Sequence, residues 1–265
     1  MTHTLIIAEA GVNHNGSLAL AKQLIDKAVE AGVDIIKFQT FKSEKLVSKA
    51  AKQAEYQQRN IGKQDEDQLA MLKKLELSQQ DHEVLIAYCN EKGIRFFSTA
   101  FDMDSIDYLH SLNMGLWKIP SGEITNYPYL RKIAQYHEPV ILSTGMCELS
   151  DIEAAVKVLL EFGVQKDQII ILHCNTEYPT PFVDVNLKAM LEIGERFGVQ
   201  IGYSDHTKGI EVPIAAVALG GAQVAEEVAL VEADAVALRD GVLDVLAHEV
   251  DDDGTGVGSF RAAAR

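Results

Sequence analysis

The feature that most constrains this chain is an alternation. Short apolar runs at Leu5–Ala10, Ile35–Thr40, Arg95–Ala100, Trp117–Ser121, Val140–Thr144, Ile169–Cys174 and Gln200–Ser204 are separated by amphipathic segments. Each run is brief and nearly continuously apolar, as strands buried on both faces of a parallel sheet must be. Between them, Leu18, Ala21, Leu24, Ile25 and Ala28 share one helical face, and Ile152, Ala155, Val156 and Leu159 share another. Gly32, Gly93 and Gly163 stand where helices end, and Ser17, Ser78 and Ser150 where they begin. An eighth strand is expected at Gln223–Leu230. Eight strand–helix units in 265 residues predict an α/β fold, the (β/α)8 TIM barrel. A doubly wound open sheet is the runner-up. It usually has fewer strands and a Gly-rich first turn, and Asn13-His14-Asn15-Gly16 is no dinucleotide fingerprint.

Charge narrows the function classes. With 24 Lys and Arg against 39 Asp and Glu, the formal net charge is −15, which argues against a nucleic-acid binder that works by bulk charge. No apolar run reaches membrane-spanning length, and residues 1–4 carry no basic stretch leading a long apolar one, so no membrane partner or secretion signal is expected. Cys89, Cys147 and Cys174 lack metal-type spacing and point to a reduced, cytoplasmic setting. The charge is unevenly spread. Residues 221–265 hold 3 basic and 10 acidic residues, a net of −7, and no lysine. A second irregularity is the long connection at residues 41–77, rich in Lys, Gln and Glu, which reads as a lid or as an exposed helical excursion.

Barrel chemistry gathers at the carboxyl ends of strands. Those ends supply Glu9, Asn13 and His14; Lys37 and Gln39; Ser98 and Thr99; Lys118, Ser121 and Glu123; Ser143 and Thr144; His173 to Tyr178; and Ser204 to Thr207. Lys37 and Gln39, two apart, point to one side of their strand. A lysine inside an apolar strand is costly unless it meets an anion or snorkels to water. Lys37 and Lys118, with Thr99, Ser121, Ser143 and Ser204, therefore outline a pocket for a phosphate plus a carboxylate. Glu9 and Glu123 could hold hydroxyls, transfer protons, or pair with the lysines. His206 could be a metal ligand, a general base or a structural histidine. His14 and His173 could each hydrogen-bond within their own turns. Cys174 reads as a small core residue, and Gly11, Gly16, Gly122 and Gly145 as turn glycines.

Six stretches together resemble the sialic acid synthase family. They are Ala8-Glu9-Ala10-Gly11-Val12-Asn13-His14-Asn15-Gly16, Lys37-Phe38-Gln39-Thr40, Lys118-Ile119-Pro120-Ser121-Gly122-Glu123, Leu142-Ser143-Thr144-Gly145-Met146, His173-Cys174-Asn175-Thr176-Glu177-Tyr178-Pro179-Thr180-Pro181 and Gly202-Tyr203-Ser204-Asp205-His206-Thr207. The likeness runs from Leu5 to Gly221. The fifth stretch and the Asn-His-Asn-Gly start look closer to bacterial N,N'-diacetyllegionaminate synthases than to other members. The resemblance implies that phosphoenolpyruvate condenses with an N-acetylated mannose-type sugar to give a nonulosonic acid and phosphate. Carbon 3 of phosphoenolpyruvate would attack the open-chain aldehyde, water would add at carbon 2, and phosphate would leave by carbon–oxygen cleavage. It implies that Lys37, Thr99, Lys118, Ser121, Ser143 and Ser204 grip phosphoenolpyruvate, helped by Asn175 or Thr176. Glu9, Gln39, Glu123 and Tyr178 would face the sugar, and His206 would bind a divalent cation, Mn²⁺ or Mg²⁺.

The pattern breaks near residue 221. Aligned through Ala218-Leu219-Gly220-Gly221, the family's second metal-binding histidine is replaced by Glu227, a hard oxygen ligand suited to Mg²⁺ or Mn²⁺. The family's C-terminal antifreeze-like domain, which reaches across a swapped dimer, has no counterpart in residues 222–265. The expected organisation is a catalytic barrel over residues 1–250, divergent from 222, and a disordered tail over 251–265. Val236, Arg239, Val242, Leu243, Leu246 and Val250 keep helical spacing for an eighth helix. A homodimer is compatible with this reading. The alternatives are a catalytically impaired, ligand-binding remnant and a lysine Schiff-base aldolase on the same barrel.

Overall fold

The computed structural model describes residues 3–46 and 68–227. The strands are β1 Leu5–Gly11, β2 Ile35–Thr40, β3 Arg95–Ala100, β4 Trp117–Ile119, β5 Val140–Ser143, β6 Ile169–Cys174, β7 Gln200–Ser204 and β8 Gln223–Glu227. The helices described are α1 Leu18–Glu30, α2 Ser43–Leu46, α3 Gln68–Leu75, α4 Gln79–Lys92, α5 Met103–Ser111, α6 Tyr127–Ala134, α7 Leu149–Glu161, α8 Leu187–Phe197 and α9 Glu211–Ala218. All strand pairs are parallel, in the order β3-β2-β1-β8-β7-β6-β5-β4, and β3 packs beside β4 to close the ring. This is the (β/α)8 barrel.

Strand parity divides the apolar residues as a closed barrel requires. Ile7, Ile35, Phe97, Leu116, Ile141, Ile170 and Leu172 fill the interior. Their sequence neighbours face the helices: Ala8, Ile36, Phe38 and Phe96 pack with Ala21, Leu24, Ile25 and Ala28 of α1. On the opposite side, Val140, Leu142, Ile169 and Ile171 pack with Ile152, Ala155, Val156 and Leu159 of α7. Both predicted helical faces are the buried ones.

Helix ends follow local chemistry. Ser17 caps α1, and Ser78 caps α4 in a reciprocal capping box with Asp81. Gly93 ends α4 in the left-handed conformation. Ser150 is a correction. It lies inside α7, whose N-cap is Glu148, and the Asp151 carboxylate accepts the Glu148 N–H at 3.0 Å. The fourth strand is also shorter than predicted. It stops at Ile119 because Pro120 has no N–H to extend the ladder, and Ser121–Glu123 turn into a 3-10 helix.

The ends of the long connection dock on the mouth of the barrel. Val12, Phe41, Leu72 and Leu75 form a small separate core there. Glu76 accepts hydrogen bonds from the Ser43 N–H at 2.9 Å and hydroxyl at 2.6 Å. The expected continuation of strand eight past Glu227, the helix at 235–250 and the tail at 251–265 lie outside the described residues. Among the described residues, no helix is long and apolar enough to cross a membrane.

Candidate active site

Register carries the sequence-predicted residues to one end of the barrel. Glu9 on β1 is level with Lys37 on β2, and Gln39 is level with Thr99 on β3. A bulge after Glu9 brings Gly11, at φ +49°, against Gln39 and the Glu9 carboxylate. On the far side, Cys174 is level with Ser204. Across β8, Glu227 occupies the position opposite Glu9.

Neither lysine snorkels. Lys37 is 5% exposed and Lys118 is 7% exposed. Lys37 forms an ion pair with the Glu9 carboxylate, so this glutamate takes the lysine-pairing role that the sequence left open. Lys118 donates to the Ser143 hydroxyl on the adjacent strand. Burial, reinforced by the nearby charge of Lys37, lowers the Lys118 pKa from 10.5 to about 8. Among the described residues, several buried oxygen atoms at this end of the barrel have no hydrogen-bond partner: Glu9 Oε1, Gln39 Oε1 and Thr99 Oγ1. Unsatisfied polar atoms at the mouth of a barrel are what a polar ligand would complete.

The loop after β5 is fixed from below. The Gly145 N–H donates to the Ser121 hydroxyl at 2.8 Å, and Ser121 Oγ lies 3.4 Å from Cys174 Sγ. A Cβ on Gly145 would fall 2.7 Å from Thr176 Cγ2 and 3.0 Å from Ser121 Oγ. Gly145 lies in the turn after β5, as expected, and close approach is what requires a glycine there. Cys174 is buried as expected, yet its sulfur forms part of the floor under Ser121. Glu123, at the end of the 3-10 turn, accepts from Asn126 Nδ2 at 2.6 Å, and burial raises its pKa.

His206 is held at both ring nitrogens. Nδ1 lies 2.7 Å from the Asn175 carbonyl oxygen, which can only accept, so Nδ1 carries the proton. Nε2 lies 2.7 Å from the Tyr178 hydroxyl and 3.4 Å from Ser204 Oγ, and the Tyr178 and His206 rings stack at 3.9 Å. A histidine whose Nδ1–H is anchored on a carbonyl presents Nε2 as a metal ligand would. That donor chemistry fits one corner of a hard-cation site. No three His, Cys, Asp or Glu side chains converge among the described residues, so most positions would fall to water and substrate.

Other residues sit apart from the mouth. The Asn175 side chain donates to the Asp184 carbonyl at 3.0 Å, and its backbone oxygen orients His206. Thr176 contributes its methyl to the packing around Gly145. Ser98 points outward and hydrogen-bonds Thr40, which bonds His82; both contacts are 2.7 Å. His14 is fully buried and accepts the Gly16 N–H at 3.0 Å, so it does bond within its own turn. Burial lowers its pKa to about 4. His173 packs toward Tyr203, and among the described residues its Nε2 has no hydrogen-bond partner. Sequence reasoning gave no role to the Gly145 backbone or to Asp205. The latter is buried and accepts the Thr207 hydroxyl at 2.9 Å, with burial raising its pKa to about 6. An aspartate between two polar strand-end residues was the available signal.

A family model described as the NeuB family matches residues 24–233. The chain belongs to the NeuB family. It is 52% identical over 220 residues to the N,N'-diacetyllegionaminic acid synthase of Campylobacter jejuni, covering 83% of this chain and 66% of that one. It is 50% identical over 217 residues to the enzyme of the same name from Legionella pneumophila, covering 81% of this chain and 61% of that one. This NeuB family member thus spans less than two thirds of the length of these curated relatives. Among solved structures, the N-acetylneuraminic acid synthetase of Leptospira borgpetersenii, in complex with citrate, superposes with a TM-score of 0.75 at 34% identity. That match covers 86% of this chain and 74% of the other.

Proposed function

We propose that this chain carries the condensing site of a nonulosonate synthase, joining phosphoenolpyruvate to an open-chain N-acetylated mannose-type sugar with release of phosphate. The observation that carries the reading is the pair of buried lysines, Lys37 and Lys118, at the end of the barrel that also holds the Thr99 hydroxyl, unpartnered among the described residues. Two cations with few compensating anions favour a small polyanion. The legionaminic branch is favoured by the names and identities of the two bacterial relatives.

In this reading Lys37 and Lys118 neutralise phosphate and carboxylate, and Thr99, Ser121, Ser143 and Ser204 supply hydroxyls, with Thr176 at the edge. Gln39, Glu9 and Tyr178 orient the sugar. Carbon 3 of the enol attacks the aldehyde carbon, and Glu123 delivers a proton to the oxygen that becomes a hydroxyl. Burial raises its pKa, the direction a proton donor needs. Water then adds at carbon 2, and the carbon–oxygen bond to phosphate breaks. Mn²⁺ or Mg²⁺, held by His206 and Glu227, would polarise the aldehyde when bound. The free cysteines fit a cytoplasmic enzyme. Phosphate release should require both substrates, and Lys37→Ala or Lys118→Ala should abolish it; undiminished turnover in either variant contradicts the assignment.

One observation favours a second reading. A buried amine with a pKa near 8 is also what a Schiff-base aldolase uses. Borohydride trapping on Lys118 with a keto-acid substrate would support the aldolase, because the condensing route forms no imine.

A further inference from the structure

We propose that His82, on the outer side of the barrel, is a positioning residue that holds Gln39 in place for the sugar through Thr40. This rests on the reading of Gln39 as a sugar contact given above. Among the described residues, the end of β2 is held by one neighbouring strand only. Its pairing with β1 stops at Phe38, just past the bulge after Glu9, whereas Gln39 and Thr40 are level with Thr99 and Ala100 of β3. Gln39 Oε1 is buried and has no hydrogen-bond partner among the described residues. Thr40, the next residue, faces the other side of the strand, where its hydroxyl lies 2.7 Å from His82 Nε2. His82 Nδ1 lies 2.8 Å from the Ser78 carbonyl oxygen, which can only accept, so Nδ1 carries a proton. Burial holds the His82 pKa below the usual histidine value, so the ring is neutral at neutral pH and Nε2 accepts. The Thr40 hydroxyl therefore donates to His82, and the Ser98 hydroxyl, 2.7 Å away, donates to Thr40. The His82 ring is fully buried and meets Tyr108 of α5 at 5.3 Å and Phe96 of β3 at 6.0 Å, both edge-on. Through this ring α4 anchors Thr40, and with it the backbone from which Gln39 projects.

The test is steady-state kinetics of the full chain with Mn²⁺, phosphoenolpyruvate and the 2,4-diacetamido-6-deoxy mannose-type sugar, beside thermal melts. Thr40→Val keeps a branched side chain and removes the hydroxyl; His82→Phe keeps a buried ring and removes the acceptor. Each should raise KM for the sugar roughly threefold to tenfold, the worth of one hydrogen bond, and leave KM for phosphoenolpyruvate within about twofold. His82→Gln places an amide oxygen near the position of Nε2 and should bring KM for the sugar back toward the wild-type value. Ser98→Ala leaves Thr40 bonded to His82 and should not move it. A lower Tm with unchanged KM for the sugar in both Thr40→Val and His82→Phe makes the contact structural only and overturns the proposal. The underlying reading fails separately: Gln39→Ala with unchanged KM for the sugar removes Gln39 from the sugar site, and the role of His82 with it.

Discussion

Glu9 and Lys37 stand level on neighbouring strands and form an ion pair inside the mouth of the barrel, with Lys37 almost wholly buried and Glu9 24% exposed. Breaking a buried pair by removing one partner costs more than the pair itself contributes, because a charge is left without compensation. Glu9→Gln should destabilise the chain by about 2 kcal/mol, below the usual buried-pair value because Glu9 is partly solvated. Calorimetry should show Tm lower by roughly 4–8 °C. The double variant Glu9→Gln/Lys37→Met should regain part of that loss. If the double variant is less stable than either single one, the pair is not coupled as described.

Ser98 and Thr99 are adjacent in sequence and opposite in consequence. Ser98 bonds outward to Thr40, whereas Thr99 has a buried hydroxyl with no partner among the described residues. Ser98→Ala should cost about 1–2 kcal/mol of stability and leave KM for phosphoenolpyruvate unchanged. Thr99→Ala should raise that KM with little change in Tm. Denaturant melts and initial rates on both variants distinguish the two faces, and identical behaviour contradicts the assignment.

This contrast marks how far the sequence was legible. Strand positions and parity could be read because buried parallel strands are apolar runs with a period of two. Lys37, Gln39, Thr99, Lys118 and Ser143 fell on the right faces for that reason alone. The fate of individual polar groups was not legible. Asn175 donates to the carbonyl of Asp184, a residue nine positions later, a contact that local sequence does not show. Glu148 displaced Ser150 as a helix cap through a reciprocal bond with Asp151 that local propensity does not predict. Gly145 is a turn residue as its sequence suggests, but the close approach of Thr176 and Ser121 is a long-range contact that local sequence does not show.

Lys118 sets a pH dependence with a definite sign. Its pKa falls from 10.5 to about 8 on folding, so between those values the unfolded chain binds the extra proton. The contribution of Lys118 to stability is therefore most unfavourable below pH 8 and rises as pH increases toward 10.5. Tm of the wild type relative to Lys118→Met should climb across that window. Affinity for phosphoenolpyruvate, measured by titration calorimetry, should fall over the same range as the cation is lost. A flat difference in Tm contradicts the burial of this charge.

Gly145→Ala should act on binding through crowding. The added methyl would meet Thr176 and Ser121 at 2.7 and 3.0 Å, so the Ser121 hydroxyl must move. Overpacking of this kind costs about 1–3 kcal/mol, and we expect KM for phosphoenolpyruvate to rise about tenfold on a folded chain. Circular dichroism establishes the fold, and steady-state rates read KM. An unchanged KM means that Ser121 does not contact the substrate.

A condensing site of this kind is defined by how phosphate departs. Phosphoenolpyruvate labelled with ¹⁸O in the bridging position, incubated with Mn²⁺ and the 2,4-diacetamido-6-deoxy mannose-type sugar, distinguishes the routes by ³¹P NMR. Carbon–oxygen cleavage by the Lys37–Lys118 site predicts that released phosphate carries the label and that none is released without the sugar. Unlabelled phosphate, or labelled phosphate released equally well without sugar, would contradict the condensing function.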